Sequence, residues 1–322
     1  MNLYAISDLH LGHKANREAL ATIGNYPEDW LIIAGDIGET DAHLIHALNK
    51  LNNHFKQLIW VPGNHDLWTM PTPKTQDASN TISTKSPRKS LRGDAKYRQV
   101  VEICRYFNVL TPEDPYMLWP GTKNMAPENM APENIAPENM APETLDPTSG
   151  IAAETQHYLL VPTFSLYDYS FSPPHITNAK EALDWAAETD VVCADEVVLH
   201  PDPYASRSEW CAARCAYTEQ RIDEALAAHQ DVSNLKLILI NHYPLREELI
   251  NLRRIPRFSV WCGTKRTEDW HKRYPIAVAI SGHLHMRSTK IIDNVRFEEV
   301  SLGYPQHWQR ERGIDAYLRK IL

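Results

Sequence analysis

Five apolar runs in this chain each end in a short polar block, and every block carries side chains able to bind a cation. Residues 2–7 lead into Asp8-Leu9-His10, 30–34 into Gly35-Asp36, and 57–61 into Pro62-Gly63-Asn64-His65-Asp66. Residues 235–240 precede Asn241-His242, and 276–280 precede Gly282-His283-Leu284-His285. Each run reads as a buried strand meeting a loop, where a rigid scaffold holds ligands and reactive groups. Gly35, Gly63 and Gly282 allow tight bends and close approach to an ion.

Carboxylate, imidazole and carboxamide groups suit divalent cations of intermediate hardness such as manganese, iron or zinc. No cysteine falls in any block, so a structural zinc-thiolate site is ruled out. A single Asp-x-His or His-x-His is commonly a surface turn or a satisfied polar pair. Five at strand ends read together as one metal site.

Helical periodicity covers 41–54, 95–107, 178–188 and 207–229. Near the end, 288–292 and 295–301 flank Asp293-Asn294, a two-residue hairpin signal. Alternating strands and helices followed by paired strands give an α/β protein with mixed sheets. The 322 residues read as one large domain, 1–322, with two insertions. The stretch 71–92 is polar and placed to act as a flexible lid. The stretch 122–150 contains a Met-Ala-Pro-Glu-Asn repeat over 125–144, whose regular prolines break helix and sheet alike. It reads as disordered, with no catalytic role.

A formal charge of −8 argues against a nucleic-acid backbone as main partner. The chain enters its first strand directly from Met1 and holds no run of 18 apolar residues, so no signal segment or membrane span is expected. The five cysteines lack C-x-x-C spacing, and Cys211 and Cys215 sit one helical turn apart as packing residues. A reducing cytoplasm is the expected compartment. Tyr167, Tyr169 and Phe171 alternate as a strand would and read as core, as do Trp261, Tyr304 and Trp308. Arg253, Arg254 and Arg257 read equally as phosphate contacts or as a solvated loop packed by Ile255, Pro256 and Phe258.

The five blocks, in this order, resemble the calcineurin-like metallophosphoesterase superfamily. The resemblance implies a four-layer sandwich of two mixed β-sheets flanked by helices. It implies that Asp8, His10 and His285 hold one metal, that Asn64, His242 and His283 hold the other, and that Asp36 bridges them. Two such ions, about 3.5 to 4 Å apart, would share a hydroxide and aim it at phosphorus. By the same resemblance His65 faces the phosphate as acid or charge stabiliser, with Asp66 able to orient its ring. Asn241 stands where many superfamily members have glycine, and against its nearer relatives the chain departs in three places: Asp66 for a frequent glutamate, a longer 71–92, and the proline repeat.

Segments 60–68, 110–115, 166–171, 199–204, 261–264 and 295–305 are similar to a bacterial branch that includes the phosphopantetheinyl hydrolases. Those enzymes remove the 4'-phosphopantetheine arm from carrier proteins, so the implied partner is an acidic acyl carrier protein. A basic strip from Lys85 to Arg98, with Arg88, Lys89 and Arg92 at its centre, reads either as its docking face or as a solvated loop. Two other functions remain open: a nucleotide or other small-molecule phosphodiesterase or phosphatase, and a non-catalytic scaffold of the same fold.

Overall fold

The computed structural model describes residues 1–70, 90–121 and 155–322. The two insertions, except for residues 90–92, lie outside the described residues, as do Arg88 and Lys89.

The first half is a parallel β-α-β succession: β1 (Leu3–Ile6), α1 (Lys14–Ala21), β2 (Tyr26–Ile33), α2 (Asp41–Asn52) and β3 (Phe55–Trp60). The short α3 (Asn64–Leu67), α4 (Gly93–Tyr106), β4 (Met117–Leu118) and β5 (His157–Pro162) follow. The second half contains α5 (Ala179–Ala187), α6 (Asp195–Val198), α7 (Arg207–Ala228), β6 (Leu235–Ile240), α8 (Trp270–Arg273), β7 (Ile276–Ser281), β8 (Ser288–Ile292), β9 (Val295–Glu299) and β10 (Arg319–Lys320).

These strands form a four-stranded sheet, β10-β1-β2-β3, and a six-stranded sheet, β4-β5-β6-β7-β9-β8. Both are mixed: β10 is antiparallel to β1, and β4 and β8 run antiparallel to their neighbours, while the central strands are parallel. Asp293 and Asn294 take φ of 51° and 63° between β8 and β9, the left-handed pair that a two-residue hairpin turn needs.

Side-chain alternation explains the layering. Leu3, Ala5, Trp30, Ile32, Ile59 and Val61 point one way and share a buried cluster with Leu160, Ile238, Ile240, Val278 and Ile280 of the other sheet. This is the core between the sheets. The residues of opposite parity, Leu31, Ile33, Leu58 and Trp60, and in the second sheet Leu159, Val161, Leu237 and Leu239, join a cluster with helix residues such as Leu20, Leu44, Leu48, Val101, Trp210 and Cys215. Helix, sheet, sheet, helix is the expected four-layer order. At one end the sheets are stitched together: Ser7 N donates to Val300 O (3.2 Å) and Leu302 N to Ser7 O (2.8 Å). Strands from both sheets therefore end in one place.

Residues 163–172 form irregular chain rather than a strand. Tyr167 and Phe171 are buried as core, but Tyr169 takes φ of 68°, which breaks an extended run. No helix among the described residues is long and apolar enough to cross a membrane.

Candidate metal centre

The loops after β1, β2, β3, β6 and β7 converge at the stitched end of the two sheets. Asp8, His10 and His285 offer ligand atoms within 4.8 Å of one another, as do Asp8, Asp36 and His242, and also His10, Asp36 and His65. Asp36 belongs to two of these groups. Its Oδ1 accepts from His65 N (2.9 Å), while Oδ2 lies 3.4 Å from His242 Nε2, 3.9 Å from His65 Nε2 and 4.0 Å from His10 Nε2. One oxygen is fixed by the backbone and the other faces the histidines.

Asp8 is divided in the same way. Its Oδ2 accepts from the hydroxyls of Ser7 (2.6 Å) and Ser301 (2.7 Å) and from His283 N (3.0 Å), and its Oδ1 lies 3.0 Å from His285 Nε2. His242 Nδ1 lies 2.8 Å from the Ala34 carbonyl, an acceptor that fixes the proton on Nδ1 and turns Nε2 inward. Asn64 donates its Nδ2 to Asp195 Oδ1 at 3.0 Å, which leaves Oδ1 facing the cluster.

Asn64 Oδ1, His242 Nε2 and His283 Nε2 are buried and have no hydrogen-bond partner. A buried polar atom without a partner costs about 1 to 3 kcal/mol, so three together mark a place for something electropositive. His10 Nε2 and His285 Nε2 lie 3.0 Å apart, two ring nitrogens aimed at one point. Without ions, burial opposes protonation of His242, but Asp36 outweighs it and lifts the ring to about 10. His283 is pushed to about 3 by its burial and then by the charge on His242. Carboxylate, imidazole and carboxamide atoms arranged in this way fit divalent ions of intermediate hardness.

Backbone strain gathers at the same point. Asp8, His10, Asp36, His283 and His285 have φ of 54°, 42°, 55°, 73° and 54°. Each such non-glycine residue costs of order 1–3 kcal/mol, and sites of this kind cluster where geometry serves function. Two glycines permit the close approach. A Cβ on Gly63 would lie 2.0 Å from Asp36 Oδ1, and one on Gly282 2.4 Å from Asp8 Oδ2.

Asp66 does not orient His65. Its carboxylate accepts from the backbone N–H groups of Asp36 (2.9 Å), Ile37 (3.0 Å) and Gly63 (3.0 Å), so it ties the loop after β2 to the loop after β3. Burial first, and Asp36 second, push it up to about 7. The carboxylate on the His65 ring is Glu39, 3.3 Å from Nδ1, whose hydrogen bond with His65 holds it down at about 2. His65 is raised: burial acts against the charged ring, but Asp36 and Glu39 prevail. The ring stacks on Trp68 with centroids 3.7 Å apart.

Sequence reading missed four contributors: Glu39, Asp195, Asn16 and His307. Asn16 in α1 donates to Leu9 O (2.8 Å) and Gly303 O (2.9 Å), bracing the Asp8–His10 loop. His307 Nδ1 lies 3.0 Å from His285 Nδ1. For Glu39 a signal existed, a carboxylate three residues after Asp36.

A cavity of about 810 Å³ opens over the cluster, with His10, Asp36, Asn64, His65, His283 and His285 among its lining. Trp68, Cys193, Leu252, Phe258, Leu284 and Met286 give it an apolar wall. Tyr304, expected in the core, instead lines this cavity with its ring 4.4 Å from that of His10, while Trp261 and Trp308 are core as expected. Arg253 and Arg254 also border the cavity, whereas Arg257 turns away to Glu188 at 2.6 Å. Arg92, from the strip read either as a docking face or as a solvated loop, contacts Asp202 (3.5 Å) and His200.

Residues 1–122 match the family described as calcineurin-like phosphoesterase. The [acyl-carrier-protein] phosphodiesterase PptH of Mycobacterium tuberculosis is 36% identical over 321 residues, covering 99% of this chain and 83% of that protein. The crystal structure of phosphopantetheinyl hydrolase PptH from Mycobacterium tuberculosis superposes with a TM-score of 0.76 at 35% identity, covering 100% of this chain and 95% of that one. With a relative this similar along nearly its whole length, the chain belongs to the calcineurin-like metallophosphoesterases, hydrolases of phosphoric esters that use divalent metal ions.

Proposed function

We propose that this hydrolase cleaves the phosphodiester joining 4'-phosphopantetheine to the serine of an acyl carrier protein. The activity named for the 36% identical relative supports the substrate. One observation carries the metal chemistry: Asp36 Oδ2 stands between His10 and His242, beside the unpaired inward atoms of Asn64, His242 and His283. Asp8, His10 and His285 would hold one ion, Asn64, His242 and His283 the other, and Asp36 both. Manganese, iron or zinc fits this donor set. Bound there, two ions would acidify a water and neutralise charge on the phosphate oxygens.

The chain's own residues do the rest. Asp8 and Asp36 each spend one oxygen on the scaffold, so the other is fixed in direction before any ion arrives. His65, biased toward its charged form by Asp36 and Glu39, faces the cavity and would protonate the departing serine oxygen. Trp68 stacks on that ring and keeps its Nε2 pointed toward the cluster. The apolar wall excludes water and accepts the neutral, extended arm. Five free thiols fit the reducing, cytoplasmic setting that we assign to it.

The test is a comparison of kcat/KM at one metal loading, with a holo-acyl carrier protein set against cyclic nucleotides, dinucleotides and bis(p-nitrophenyl) phosphate. Preference for the carrier by about tenfold or more supports the assignment. Preference for a nucleotide moves it to small-molecule hydrolysis. No turnover of any of them with metal bound would indicate a scaffold.

A further inference from the structure

We propose that Arg253, Arg254 and Ile255, at the rim of the cavity, form the docking surface for an acidic protein that presents the phosphodiester. This rests on the carrier-protein reading above and deepens it by naming where the protein part of the substrate sits.

The segment's other arginines are committed to the fold. Arg246 pairs with Glu248 and reaches the Glu268 carbonyl, and Arg257 pairs with Glu188 and stacks over Trp185. Among the described residues the guanidinium groups of Arg253 and Arg254 make no ion pair or side-chain hydrogen bond. Both are exposed, yet both line the same cavity as His10, Asp36 and His283. They stand where solvent meets the site.

Apolar surface accompanies them. Ile255 is 44% exposed beside the pair, and Val192, at 78% exposure, borders the same cavity. Three residues on, the Phe258 ring stacks against His283 with centroids 6.1 Å apart. The rim is therefore tied directly to a loop of the metal centre. A partner resting on it has its reach into the cavity fixed.

The local charge selects the partner's sign, against the overall one. At −8 the molecule repels an acidic protein except where a local cationic focus offsets the field. Two exposed cations are worth little to one small phosphate in water, because screening and high dielectric weaken each contact. Against an extended acidic face they act together, and the exposed Ile255 supplies the apolar contact that a protein surface needs and a small phosphate does not.

The experiment compares wild type with Arg253→Glu/Arg254→Glu and with the charge-preserving Arg253→Lys/Arg254→Lys. Binding of a fluorescently labelled holo-acyl carrier protein is followed by anisotropy at low and moderate salt, and turnover of the carrier and of bis(p-nitrophenyl) phosphate is measured separately. Charge reversal should weaken carrier binding and raise its KM by about tenfold or more, with the gap narrowing as salt rises. The lysine variant should stay near wild type, and the small diester should lose far less than the carrier. Carrier binding indifferent to reversal overturns the proposal, whatever the turnover. Equal slowing of both substrates also overturns it, since the arginines would then act on the diester itself. Intact binding by wild type without cleavage would instead overturn the carrier reading and leave the docking surface standing.

Discussion

Asn64 donates its side-chain N–H to Asp195 Oδ1 at 3.0 Å across 131 residues of sequence, and this bond decides which end of the amide is left for the candidate metal centre. The same oxygen accepts from Trp68 Nε1 at 2.6 Å, and Asp195 is fully buried. A carboxylate acceptor there forces Nδ2 outward and Oδ1, the atom able to bind a cation, inward. Asp195→Asn gives the position a donor of its own and frees the amide to turn. Manganese affinity at one of two sites should fall about 10- to 100-fold, read by calorimetric titration. Two sites of wild-type affinity would remove the orienting role.

Glu39 and His65 form the second relationship. Replacing Glu39 with Gln removes one of the charges that raise the ring, and the carboxylate that aims it. We expect slowing of about 10- to 100-fold on esters with poor leaving groups, less on activated esters, and full metal content. His65→Ala should show the same pattern, and the double variant should be no slower than His65→Ala alone, because the two act as a unit. Additive losses would mean independent roles.

Asp66 serves a different purpose, and its variant should look different. Asp66→Ala strands buried N–H groups of Asp36, Ile37 and Gly63. A stability loss of about 2–4 kcal/mol follows from leaving several donors unpaired, seen as a lower midpoint in denaturant. Glu39→Gln loses a carboxylate that His65 holds low and should itself lower the midpoint, but by less, because those three N–H groups stay paired. An unaltered midpoint for Asp66→Ala would contradict the tie between the two loops.

Glu113 gives a pH dependence away from the candidate metal centre. It accepts from Tyr97 OH (2.6 Å), Arg214 Nη2 (2.8 Å) and Tyr217 OH (2.9 Å). Burial alone would raise its carboxyl, but Arg214 and the two tyrosines hold it below the ordinary glutamate value. A lowered carboxyl adds stability that is complete above the unfolded value, about 4.3, and lost as pH falls through the lower folded one. Glu113→Gln should cost about 1–2 kcal/mol at pH 7, less than for breaking a fully buried pair because Glu113 is only half-buried, and the gap to wild type should narrow as pH falls below about 4. A gap equally wide at both pH values would contradict this.

Much of the site was legible because its residues sit at the ends of apolar strands, and strand periodicity is a local signal. The run at 235–240 matches β6, and the hairpin at Asp293-Asn294 was read from its turn pair alone. What escaped is set by long-range partners. Asp195 gains its meaning from Asn64, 131 residues away, and Glu39 from His65, 26 away. Helix α1 escaped because its buried face is two alanines, one asparagine and one leucine, too weak for an apolar stripe. Asp66 was misread because sequence adjacency to His65 suggested contact, whereas in α3 neighbouring residues point to different sides. The alternation at Tyr167, Tyr169 and Phe171 correctly signalled burial but not a strand, since an irregular chain can also bury alternate residues.

The most direct test of the account is the intact mass of a holo-acyl carrier protein incubated with this protein and manganese, with Asp36→Asn as control. The account predicts loss of the whole phosphopantetheine mass, leaving the unmodified serine, and no loss with Asp36→Asn. An unchanged carrier mass, alongside rapid hydrolysis of a simple chromogenic diester by the same preparation, would contradict the proposed substrate.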